Sequence, residues 1–138
     1  MIRPIVHSRI VLQRPAEPAV SADAQLGQDL LDTLAAHADE CVGMAANMVG
    51  VSKAVIVFHD EARGQDVLMF NPQITRKTGP YEAVEGCLSL PGQRAVTRYR
   101  RITVEYDDED FRHRTARYEG YTAQIIQHEV DHCAGVLI

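Results

Sequence analysis

The residues best placed to do chemistry are His128-Glu129-Val130-Asp131-His132, near the C-terminal end of a 138-residue chain. Two imidazoles four residues apart fall on one face of a helix, one turn from each other. From there both can reach a single metal ion, with Glu129 beside them where a metal-bound water would sit. A catalytic site of the zinc type takes three protein ligands and keeps one position open, so one ligand is missing. The longer pattern H-E-x-x-H-x-x-G-x-x-H is followed as far as Gly135, but its last position is Ile138, which cannot bind a metal. Only six residues follow His132, so the third ligand is expected upstream.

Three cysteines compete for that position. Cys133 adjoins His132 on the apolar side of the helix and reads as a small buried hydrophobe. Cys41 precedes a run of small residues, and nothing around it favours metal binding. Cys87 lies in Glu85-Gly86-Cys87-Leu88-Ser89-Leu90-Pro91, where glycine and proline mark a loop that presents its side chains. Cys87 is therefore the favoured third ligand.

The elements that must position these residues follow from periodicity. The motif sits on a final helix expected from about residue 120 to 134, with Gly135 placed to stop it. Ala123, Ile126, Val130, Cys133 and Leu137 form an apolar stripe, and His128 and His132 lie roughly opposite. The helix thus has core behind it and metal in front. Leu26, Leu30 and Leu34 recur at i, i+4 and i+8, predicting an earlier helix over 21–38 with Ser21 or Asp23 as its N-cap. Residues 1–20 hold three of the six prolines and read as an extended surface arm. Strands are expected over 54–58, over 67–70 with a break at Asn71-Pro72, over 73–75, over 102–106 and over 112–118. Turn signals stand at 61–66, at Gly79-Pro80 and at 107–110. The dense small residues of 41–50 imply either a backbone that closely approaches a strand or ligand, or tight core packing. Few strands alternate with crossover helices, so the expected fold is a single α+β domain over 1–138.

Composition narrows the function. With 46% hydrophobic and 24% charged residues the chain can bury a real core and shows no mark of disorder. A net charge of −5 argues against nucleic acid as the main partner. Residues 1–9 lack the apolar stretch of a secretory signal, and no run approaches the roughly 20 residues of a membrane helix. A cytoplasmic chain with free or metal-bound thiols is expected.

These motifs, in this order, resemble the peptide deformylase family. Its signatures are G-Φ-G-Φ-A-A-x-Q, E-G-C-L-S and Q-H-E-x-D-H, with Φ apolar. Residues 85–89 match the second in full and residues 127–132 match the third. Asn71-Pro72 and Gly135-Val136-Leu137 extend the likeness over most of the chain. The resemblance implies antiparallel β-sheets packed around a C-terminal metal-binding helix. It implies that Cys87, His128 and His132 hold one divalent ion, Fe(II) natively and Zn(II) or Ni(II) in substituted forms. It casts Glu129 as general base and then acid, and the Leu88 N–H as a donor to the developing oxyanion. Val42, Gly43, Met48 and Gly86 fall along the substrate, and Arg98 is a candidate to steer a peptide. Asp131 and Gln127 are expected to support the site from behind. The implied reaction removes the formyl group from the N-terminal formyl-methionine of nascent polypeptides. A monomer acting on formylated peptides, without nucleic acid or membrane, is expected.

The first signature departs from the family. Gly43-Met44-Ala45-Ala46-Asn47-Met48 places Met48 where the family has an oxyanion-binding glutamine, and Cys41 at its first glycine. Methionine has no donor, and losing one such donor costs about 10²–10³ in rate. Reduced or altered activity is therefore expected, with Asn47 a substitute only if the loop shifts. The alternatives are a non-catalytic relative that keeps the metal as a staple, and an amidase for another N-acyl group. A zinc endoprotease is disfavoured for want of a later ligand.

Overall fold

The computed structural model describes residues 1–138. In chain order it has helix α1 (Arg9–Leu12), helix α2 (Ala24–Ala36), strands β1 (Gly43–Ala45), β2 (Val55–Asp60), β3 (Gln65–Cys87), β4 (Leu90–Asp107) and β5 (His113–Glu119), and helix α3 (Gly120–Cys133). Short 3₁₀ turns occupy Ser21–Asp23 and Ala46–Val49. The strands form one antiparallel sheet in the order β1-β2-β3-β4-β5, an α+β architecture with α3 packed on it. No helix is long and apolar enough to cross a membrane.

The unbroken apolar run of β2 follows from burial on both faces. Val55 and Val57, with Met44, Leu68 and Phe70, pack beneath Leu26, Leu30 and Leu34 of α2. Ile56 and Phe58, with Ala45 and Met69, pack against Ala123, Ile125 and Ile126 of α3. A strand covered on both sides has no polar face to alternate. Each fully buried Leu, Ile or Val contributes about 1.5–3 kcal/mol, so the two layers clamp the sheet between α2 and α3.

Three expectations need correction. The N-terminal stretch is not a surface arm throughout, because it contains α1, and Leu12 and Ala19 are buried in the α2 layer. Asn71-Pro72 does not end a strand. It marks a register shift within β3, where Asn71 takes φ +52° and its side chain bonds Ala19 and Asp107. Gly79-Pro80 is no turn either, since Pro80 pairs with Tyr99 across a continuing ladder. Beyond Phe70 only β4 borders β3, and proline is tolerated on such an edge strand. The result is one long β3–β4 hairpin whose tip reaches α3. Gly135, at φ +79°, ends the last helix as expected.

Candidate metal centre

Cys87 is the last residue of β3 and pairs with Leu90, leaving Leu88-Ser89 as the hairpin turn. A register shift between Gly86 and Cys87 re-aims the chain there, as bulges do. The N-terminal stretch braces the tip through a 2.9 Å contact between His7 Nδ1 and the Ser89 carbonyl. α3 supplies His128 and His132 one turn apart, at 7% and 0% exposure. Cys87 Sγ lies 3.3 Å from His132 Nε2, which lies 3.2 Å from His128 Nε2. One ligand atom from each of the three residues is within 4.8 Å of the others. Two nitrogens each bound to one tetrahedral ion stand roughly 3.3 Å apart. The spacing and the soft sulfur–nitrogen donor set both fit a divalent transition metal.

Behind the ligands lies a buried polar network. His128 Nδ1 meets Glu85 Oε1 at 2.9 Å, an arrangement that leaves Nε2 as the free donor atom. Arg98 grips Glu85 through Nε and Nη2, at 2.9 Å and 2.7 Å, and donates from Nη1 to Asp131 Oδ2 at 2.6 Å. Gln124 Nε2 adds a further bond to Glu85, at 2.9 Å. Burial works to raise the Glu85 carboxyl, but the bonds from His128, Arg98 and Gln124 outweigh it and hold it near 2. Gln127 stitches α3 to β4, accepting from the Tyr99 N–H and donating to its carbonyl. The expected supporting places of Asp131 and Gln127 are thus occupied. Arg98, expected on the substrate side, is 4% exposed, its guanidinium bonds Glu85 and Asp131, and it is not among the residues that line the cavity.

The charges of the cluster are uneven. Burial opposes a charged His128, but contacts to Cys87 and Glu85 prevail and hold it up at about 10, so an ion bound at Nε2 would displace a proton. Burial and the neighbouring His128 push His132 down to about 3. A second cation is therefore excluded from that ring, while its lone pair stays available. Burial raises Glu129 to about 7, and its Oε1 has no hydrogen-bond partner in the protein. A carboxylate poised near neutral pH with a free oxygen is equipped for proton transfer.

A cavity of about 250 Å³ opens in front of these groups. Val42, Gly43, Met48, Gly86 and Leu88 all line it, together with Glu129. The small residues of β1 allow a close approach to α3. A methyl at Gly43 would stand 2.6 Å from Ile125 Cγ2 and 2.8 Å from Glu129 Oε2. Asn47, expected as a substitute donor only if the loop shifts, is buried, and its amide bonds the carbonyls of His132 and Leu12. Met48, at 1% exposure, leaves the wall beside the ligands apolar. Cys41 Sγ donates to the Gly43 carbonyl, and burial pushes its thiol up to about 12. Tyr121, Gln124 and Ile125, which no motif marks, also line the cavity. Their signal was helical spacing, one or two turns before His128 on the same face.

Comparisons with known proteins agree with this geometry. The family model described as polypeptide deformylase matches residues 2–138. A peptide deformylase of Clostridium beijerinckii is 46% identical over 138 residues, covering 100% of both chains. The crystal structure of peptide deformylase from Thermus thermophilus superposes with a TM-score of 0.88 at 39% identity, over 99% of this chain and 83% of that one. A class I type b peptide deformylase from Acinetobacter baumannii, bound to Met-Ala-Ser, gives a TM-score of 0.86 at 28% identity, over 99% and 96%. The sheet wrapped on α3, the Cys87–His128–His132 cluster and these relatives agree, and the chain belongs to the polypeptide deformylase family, metal-dependent amidases that remove N-terminal formyl groups.

Proposed function

We propose that this chain deformylates nascent peptides in the cytoplasm as a monomer, with Fe(II) at Cys87, His128 and His132, and at a rate limited by Met48. The unpartnered Glu129 oxygen beside the three-donor cluster is the observation that carries this reading. β1 has a neighbour on one side only, so its free edge at Val42–Gly43 can pair with an extended peptide. Gly86, also lining the cavity, adds no side chain in its way. A divalent ion in the cluster supplies Lewis acidity and makes water nucleophilic at neutral pH. Glu129 takes the proton of the attacking water and delivers it to the departing amine nitrogen. The C–N bond breaks, and formate and a free N-terminus leave. Glu85 keeps His128 in the metal-binding tautomer throughout. The Leu88 N–H is left as the backbone donor to the developing oxyanion, with no side-chain donor across from it.

The same missing donor favours the second reading, a metal-stapled relative that binds formylated peptides without turnover. Metal content and formate release from formyl-Met-Ala-Ser, measured anaerobically, separate the two. One ion per chain with catalytic formate is expected. Stoichiometric metal without formate establishes the second reading.

A further inference from the structure

We propose that Gln124 selects the substrate's first side chain, favouring an unbranched chain that carries a hydrogen-bond acceptor, such as methionine sulfoxide, over an aliphatic chain of equal length. The inference rests on the deformylase reading and adds a substrate class to it. Gln124 and Tyr121 lie one and two turns before His128 on the cavity face of α3, and each turn rises about 5.4 Å. A peptide whose formyl carbon sits at Glu129 has this face within one to two helical turns of its first side chain. The walls it meets are Val42 and Ile125, with Val84 and Tyr121 at the mouth, 64% and 51% exposed.

Gln124 stands among them as an amide that cannot swing away. Its Nε2 donates to Glu85 Oε2 at 2.9 Å, and its Oε1 accepts from the Tyr81 hydroxyl at 3.3 Å. A primary amide has two N–H groups, and this one spends a single N–H within the chain. The second is free to bond a substrate. The methionine thioether is a weak acceptor, a sulfoxide oxygen is a strong one, and norleucine has none. One net neutral hydrogen bond corresponds to a roughly three- to tenfold preference.

The test is calorimetric binding of three product peptides to the metal-loaded protein. They are Met-Ala-Ser, its methionine-sulfoxide form and norleucine-Ala-Ser, each measured on wild type, Gln124→Leu and Gln124→Met. Gln124→Met keeps volume and length if the leucine variant folds poorly. Wild type is expected to prefer the sulfoxide peptide over norleucine by roughly three- to tenfold, and both variants to lose or reverse that preference when all three proteins are compared at equal metal loading. An equal sulfoxide-to-norleucine ratio in wild type and variants overturns the proposal, as does failure of all three peptides to bind. Formate release from the formylated peptides is followed in parallel. A shifted ratio without formate upholds Gln124 selectivity and removes the deformylase reading. Formate without a shifted ratio does the reverse.

Discussion

The two walls of the cavity are built on opposite principles. The wall of α3 and the hairpin tip is charged and interlocked, for Glu85 alone is held by His128, Arg98 and Gln124, and Arg98 also grips Asp131. The facing wall, from β1 to Met48, is apolar. Its nearby polar side chains turn elsewhere, with Asn47 bonding main-chain carbonyls and Cys41 bonding Gly43. On the proposed function, holding the metal and stabilising the transition state are separable. The first wall would hold the ion, while Met48 leaves the second without the side-chain donor that the resemblance implies.

The sharpest break in that comparison is Glu129→Gln, which keeps the volume and removes the base. Formate release is expected to fall by about 10²–10⁴, with metal content measured by emission spectrometry unchanged. Loss of the ion would instead make Glu129 a ligand. Arg98→Met comes next, since it leaves Glu85 and Asp131 without their cation. A loss of about 3–5 kcal/mol in denaturant unfolding is expected, with metal affinity weakened by about 10–100-fold. A change confined to KM would return Arg98 to the substrate side.

The smallest effect belongs to α2, remote from both walls. Asp29 is buried, and bonds from Gln25, from the N-terminal ammonium and from Arg3 hold its carboxyl at about 2. A carboxyl lowered on folding stabilises the protein above its unfolded value of about 4, and that contribution is lost as pH falls through about 2. The gap in melting temperature between wild type and Asp29→Asn should therefore be wide at pH 6 and narrow as pH drops below 4. A gap independent of pH would show that Asp29 acts through shape alone.

Much of this was legible in the chain because the chemistry is local. His128 and His132 need only helical spacing, and the apolar run of β2 announces burial on both faces. The long hairpin was not legible. Gly79-Pro80 carries a turn signal, but pairing to β4 along a free-edged strand overrides it. Arg98 read as a residue to steer a peptide because its partners, Glu85 and Asp131, lie 13 and 33 residues away and meet it only after the hairpin folds onto α3. Gln124 was hidden in plain periodicity, since the stripe was read for its apolar members and the histidines alone.

The separation of the two walls is tested most directly by Met48→Gln, assayed for kcat on formyl-Met-Ala-Ser at constant metal content. Restoring a donor on the apolar wall is expected to raise kcat by about 10²–10³, with KM little changed. An unchanged kcat, with metal retained, would contradict the assignment of Met48 to the oxyanion position.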